Sequence, residues 1–164
     1  MIRLCYLKNS FKAIALVSGI VCLSGCFNFG SKEEKPGLLV INVLDKEQYD
    51  DCHIPGSIQV DMMKVQKYVS SYPKTTKIVV YCSNYACTAS PYIAKKLKKD
   101  GFEQVWDYEA GMAGWFQEKL PVNGPAQAAY LHQPNPQLGN HPEGVEGIST
   151  QDLKKLLDEH SSKK

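Results

Sequence analysis

The sequence predicts an α/β fold of three layers, a parallel sheet flanked by helices, formed by a single domain. Two continuous apolar runs of strand length, LLVINV (Leu38 to Val43) and KIVVYC (Lys77 to Cys82), have the pattern of strands buried on both faces. Strand-like and helix-like segments alternate between and after them. The chain has 164 residues, 43% of them hydrophobic, enough for one ordinary core and too few for two comfortable ones.

Taken in order, the chain opens with a segment of a different kind. Arg3, Lys8 and Lys12 precede an uncharged stretch, Ala13 to Gly25, that is shorter than the roughly 18 to 20 residues a spanning helix needs. Residues 1 to 25 therefore form an expected export signal. It ends in LSGC, which resembles the lipobox of bacterial lipoproteins, and by that resemblance Cys26 is lipidated and becomes the new N-terminus. Phe27 follows where an Asp would give an inner-membrane retention cue, so the expected location is the cell envelope, lipid-anchored and periplasm-facing, with the outer membrane favoured. Loss of residues 1 to 25 removes three cations and lowers the formal net charge from +2 to −1, which is no polybasic nucleic-acid footprint. Residues 26 to 37 form a tether, small and polar after two aromatics.

The core is expected over residues 38 to 122. LLVINV is the first strand, and DKEQYDD a short helix with Asp45 as N-cap. HIPGSIQV is a turn feeding a short strand, and DMMKVQKYVSSYP a helix stopped near Pro73. KIVVYC is the second buried strand. Ser90 as N-cap with Pro91 behind it starts a helix that ends at Gly101. FEQVWDY is a further strand and GMAGWFQEKL a further helix, closed by Pro121. Residues 123 to 147, rich in Pro, Gly, Asn and Gln, are a linker or a surface-hugging arm. Residues 148 to 164 resume order: Ser149 and Asp152 resemble a capping box, and Leu153, Leu156 and Leu157 share one helical face.

Chemistry concentrates at Cys82. A cysteine at the carboxyl end of a buried strand, before a loop and a helix start, stands where α/β sheets place ligands and reactive groups. Loop N–H groups and the following helix N-terminus would point at its sulfur and favour the thiolate, with Ser83, Thr88 and Ser90 adding hydroxyl donors. The mature chain keeps Cys52, Cys82 and Cys87, an odd number, so at least one thiol stays outside any internal disulfide. Cys87 is open to three readings: a small buried loop residue, a resolving thiol that closes a disulfide with Cys82, or a holder of transferred sulfur. Cys82 and Cys87 lack further ligands at metal-binding spacing, and His53 belongs to a turn, so no metal is expected. Trp106, Tyr108 and Trp115 are expected in the packing, His132 and His141 in solvent, and Lys95, Lys96, Lys98 and Lys99 on a charged helix face.

From about Pro36 to Val122 the chain resembles the rhodanese family. LLVINVLDKEQYDDCHIPGSIQV is similar to that family's opening strand, short helix and GHIPGA turn. IVVYCSNYACTASPYIAKKLKKDGFEQVWDYEAGMAGWFQEKLPV resembles its active-cysteine strand, loop, helix and closing Gly-Trp-Leu-Pro-Val segment. The resemblance implies a sulfurtransferase in which Cys82 carries a persulfide within an active-site loop of Ser83, Asn84, Tyr85, Ala86, Cys87, Thr88, Ala89 and Ser90. It implies no cofactor. Its partners would be a small sulfur donor and a thiol acceptor, with the membrane reached through Cys26.

The chain departs from the family at several positions. Asn42, Val43 and Leu44 stand where Asp-x-Arg is usual, Cys52 stands where Gly is usual, and residues 83 to 90 hold no arginine for an anionic donor such as thiosulfate. The related phosphatases need Cys-x5-Arg, and that arginine position is Thr88, which excludes them. Two alternatives stay beside sulfur transfer: a non-catalytic module that docks a partner through the loop, and a thiol-disulfide protein using Cys82 and Cys87. The strand-helix piece that ordinarily precedes the LLVIDV strand in the family is missing before Leu38, and GISTQDLKKLLDEHSSKK at the end is similar to it. That order implies a circular permutation, with a lost second domain or an element given to a neighbouring molecule as the alternatives.

Overall fold

The computed structural model describes residues 36–137 and 143–162. The expected signal, Cys26, nearly all of the tether and His141 lie outside them. Five parallel strands form one sheet in the order β2-β1-β3-β4-β5. They are β1 (Leu38–Asn42), β2 (Ile58–Gln59), β3 (Lys77–Tyr81), β4 (Val105–Tyr108) and β5 (Glu146–Gly147). Every residue of β1 is buried, and so is all of β3 except Lys77, which is why both read as unbroken apolar runs.

Helices cover both faces. One face of the sheet packs Leu39, Ile41, Ile78 and Val80 against α2 (Val65–Val69) and α3 (Ala89–Lys99), through Val65, Val69, Ile93, Ala94 and Leu97. The other packs Val40, Val79, Tyr81 and Tyr108 against α4 (Gly111–Gln117), the 3-10 turn Ala129–His132 and α5 (Thr150–Ser161), through Met112, Trp115, Leu131 and Leu153. Cys52 and Ile54, just after α1 (Lys46–Asp51), join this second core. Trp115 and Tyr108 meet edge to face at 6.4 Å, so they belong to the packing, as expected.

Caps set three helix boundaries, the starts of α1 and α5 and the end of α3. The Asp45 side chain accepts from the Gln48 N–H at 2.8 Å, and Ser149 accepts from the Asp152 N–H at 3.1 Å while its hydroxyl donates to the Asp152 carboxylate at 2.6 Å. Gly101, at φ +88°, ends α3 with its N–H on the Lys98 carbonyl and the Phe102 N–H on the Leu97 carbonyl. Two expectations need correction. The helix expected from Asp61 begins only at Val65, because Asp61 spends its side chain and carbonyl on the N–H groups of Met63 and Lys64 and builds a turn. Ser90 is not an N-cap: α3 starts at Ala89 behind Thr88, and the Ser90 side chain faces inward.

The region 123 to 137 is the arm, not a free linker. Asn123 and His53 exchange backbone hydrogen bonds of 3.0 Å, and the Ala126 N–H donates to the Asp51 carbonyl at 2.7 Å. The Asp51 carboxylate accepts from the Gln127 and Ala128 N–H groups at 2.9 Å each. After residues 138–142, β5 pairs in parallel with β4, and α5 docks with the Tyr108 hydroxyl 2.9 Å from that of Thr150. The C-terminal strand and helix thus complete the sheet edge and one layer of the domain.

Candidate active site

Strand β3 ends at Tyr81, and Cys82 follows, buried at 1% exposure on the face shared with Val80 and α3. The chain then turns through Ser83 to Thr88 and enters α3. Cys82 and Cys87 are joined as a disulfide across this loop, with their Cα atoms 6.4 Å apart. Cys87 is half-buried, resting on the edge of the same core. The Ser90 hydroxyl lies 3.3 Å from Cys82 Sγ and, since a disulfide sulfur carries no hydrogen, donates to it.

The base of the loop is held by α4. The Met112 N–H donates to the Cys82 carbonyl at 2.9 Å and the Ala113 N–H to the Ser83 carbonyl at 2.8 Å. This approach demands Gly111. Its φ is +58°, and a Cβ there would stand 2.7 Å from the Asn84 nitrogen and 2.8 Å from the Cys82 oxygen. The first-turn N–H groups of α4, which have no partner within the helix, thereby fix where the cysteine backbone sits.

The loop tip is organised by two asparagines. Asn84 accepts from the Ala86 N–H at its side chain, 3.1 Å, and from the Cys87 N–H at its carbonyl, 3.0 Å. Asn135, on the arm, accepts from the Tyr85 N–H at 3.1 Å and donates to the Ala110 carbonyl at 2.9 Å. The expectation that all loop amides point at the sulfur is therefore corrected: those of Tyr85, Ala86 and Cys87 are spent on carbonyl and amide oxygens. What faces Cys82 is the Ser90 hydroxyl and the start of α3.

Electrostatics around the tip are acidic. Burial first, then the negative charges of Glu109 and Glu118, push the Tyr85 phenol above its ordinary value. The sequence has one arginine, Arg3, so the described residues offer no guanidinium fork to an anion. Cys52 takes no part: it lies buried in the opposite core, and burial followed by the Asp51 charge raises its thiol to about 11. His53 stacks on Tyr49 at 3.9 Å with Nδ1 2.7 Å from the Tyr49 carbonyl oxygen, a turn residue as expected.

Sequence reasoning picked out Cys82, Cys87 and the loop that joins them. It missed Gly111, Asp51 and above all Asn135, whose hydrogen bonds link positions 50 residues apart and leave no periodic signal.

The comparisons with known proteins agree on the setting. The model of the rhodanese-like domain matches residues 29–118. The thiosulfate sulfurtransferase GlpE of Coxiella burnetii is 28% identical over 82 residues, which is 50% of this chain and 75% of that protein. A putative sulfur carrier protein of Bacillus subtilis, YrkF, is 28% identical over 78 residues, 48% of this chain and 41% of that one. Among solved structures, the BH2092 protein of Bacillus halodurans superposes with a TM-score of 0.50 at 30% identity, covering 56% of this chain and 67% of its own.

Proposed function

The chain belongs to the rhodanese-like domain family, and from that premise we propose that it transfers sulfane sulfur through a persulfide on Cys82, with Cys87 as the resolving thiol. The observation that carries this reading is the Cys82–Cys87 disulfide in the loop that follows β3. In the first step the Cys82 thiolate attacks the sulfane sulfur of a donor, the bond from that sulfur to the donor's leaving group breaks, and Cys82–S–S⁻ forms. A thiol acceptor can take the sulfur from there. Alternatively the Cys87 thiol attacks Cys82 Sγ, the Cys82–S–S–Cys87 bond forms, and the outer sulfur leaves as hydrosulfide. Electrons balance in this step: the two cysteines are oxidised to a disulfide and the sulfane sulfur is reduced to sulfide.

The absence of an arginine after Arg3 and the carboxylates near Tyr85 favour an uncharged or protein-bound sulfane donor over the thiosulfate dianion. The LSGC segment ending in Cys26 supports a lipid-anchored place in the cell envelope.

Intact-mass analysis tests the mechanism. The Cys87→Ser chain, exposed to a polysulfide, should gain one sulfur, removable by a thiol reductant. The Cys82→Ser chain should gain none. The wild-type chain should release sulfide and end two protons lighter. Absence of any adduct on Cys87→Ser would overturn the persulfide role of Cys82.

A further inference from the structure

We infer that an external thiol reopens the disulfide by attacking Cys87, and that the resulting mixed disulfide is carried on Cys87 while Cys82 departs as the thiolate. The inference rests on the sulfur-transfer reading of this loop but concerns a different step, the return from the oxidised state.

The two sulfurs are not equivalent. Thiol-disulfide exchange is an in-line displacement: the incoming thiolate approaches the attacked sulfur from the side opposite the bond that breaks, so access behind that sulfur decides which one reacts. Behind Cys82 lies the core. Its residue is 1% exposed and belongs to the same core cluster as Val80 and Ile93, with Ser90, also 1% exposed, against the sulfur. Cys87 sits on the outer side of the loop, half-buried, between the exposed residues Ala86 and Thr88.

The leaving side is equally asymmetric. A thiolate released at Cys82 keeps the 3.3 Å hydrogen bond from the Ser90 hydroxyl and stands before the first turn of an eleven-residue helix. Among the described residues no side chain donates to Cys87 Sγ, and its own N–H is turned to the Asn84 carbonyl. Exchange runs faster when the departing sulfur is the better-stabilised anion, so access and leaving-group quality select the same direction.

The balance closes without an added oxidant. An external thiolate RS⁻ forms the bond RS–S to Cys87 as the Cys82–Cys87 bond breaks, and the electron pair leaves on Cys82. A second RS⁻ then attacks the R sulfur, giving RSSR and the Cys87 thiolate. The freed Cys82 is then ready for the next sulfane sulfur, so the external thiol is the reductant of the cycle. Its chemical class is a small or protein-borne thiol, preferably uncharged or cationic given Glu109 and Glu118.

The test uses the full-length oxidised chain in mild detergent, treated with 2-mercaptoethanol, quenched at intervals with N-ethylmaleimide, and localised by fragmentation without reduction. Among chains carrying one mercaptoethanol, the adduct should sit on Cys87 and the maleimide on Cys82 by at least about tenfold over the reverse. An equal split, or an adduct on Cys82, overturns the inference. So does maleimide on both cysteines before any thiol is added, since no disulfide would then exist to open. Sulfur loading of Cys87→Ser is independent of all three outcomes, because that variant has no disulfide, so failure here is distinct from failure of the persulfide reading.

Discussion

Cys52 closes α1, buried, with the Asp51 carboxylate beside it. A free thiol reacts through its thiolate, and this one is protected, because a thiol raised to about 11 presents little thiolate at neutral pH. Two measurements follow from that shift. Alkylation of Cys52 should be negligible in the native protein at pH about 8 and rapid after denaturation. Stability should also fall on the alkaline side. The unfolded thiol ionises near its ordinary 9.0 while the folded one waits until about 11, so the contribution is whole below pH 9 and is lost as pH rises toward 11. Buried Tyr81, raised from 10.0 to about 12, adds to the same slope. Denaturant midpoints measured across pH about 8 to 11 should decline, and less steeply in Cys52→Ala. Ser90 supplies a second prediction at this scale. Removing its hydroxyl in Ser90→Ala should slow disulfide opening by 2-mercaptoethanol severalfold, whereas Ser83→Ala should leave the rate unchanged. Gly111→Ala should cost about 2 kcal/mol or more in urea unfolding, since a left-handed φ and contacts to backbone atoms of Ser83 and Asn84 combine.

The arm lies beyond the residues matched by the family model, as β5 and α5 do, yet it reaches the reactive loop. Its near end is clamped by Asp51, and Gln117 holds its middle by donating to the Leu131 and Gln133 carbonyls at 3.0 and 2.7 Å. Asn135 at its far end ties Tyr85 to Ala110. Asn135→Ala frees the Tyr85 N–H and one tie on the loop tip, so 2-mercaptoethanol should open the disulfide severalfold faster, at a stability cost of about 1 kcal/mol. An unchanged opening rate with the same loss of stability would reduce the arm to packing. The elements also mark how far the sequence could be read. Strands β1 and β3 were legible because burial on both faces forces an unbroken apolar run, and α1 and α5 because side-chain caps start them. The start of α3 was misread because Ser90-Pro91 imitates a cap while the serine hydroxyl serves the sulfur. The ties of Asp51 and Asn135 join distant positions through two or three hydrogen bonds each, and nothing in local composition records such a pairing. The place of Cys82 at the end of a buried strand was legible from the apolar run before it.

At the scale of the whole molecule, the question is what the C-terminal strand and helix do for a sheet whose other four strands precede them. Strand β5 has two residues and could not stand by itself, so its place beside β4 depends on α5. The helix is anchored by buried Leu153, by Leu156 and Leu157 on the same core, and by Thr150 on Tyr108. Burial of such a leucine makes Leu153→Ala cost about 2 to 4 kcal/mol, a large part of the stability of a domain this size. Removing residues 145–164 altogether would uncover Leu38, Trp106 and Tyr108 at once, and should convert cooperative unfolding into a broad transition with dye-binding apolar surface. A sharp, unshifted transition would make the segment an appendage. The proposed permutation adds a stricter requirement, that the order of pieces be interchangeable. Pro36 and Leu38, at the start of β1, line a cavity of about 510 Å³ together with His160 and Ser161, at the end of α5. The two ends to be joined are therefore neighbours, and a short Gly/Ser linker can span them. A chain in which residues 145–162 are moved ahead of Pro36 through such a linker should recover the melting temperature of the native order to within a few degrees and keep the Cys82–Cys87 disulfide. Failure of that chain to fold, with the native order folding under the same conditions, would leave the C-terminal piece as a fixture of this connectivity and not as a displaced N-terminus.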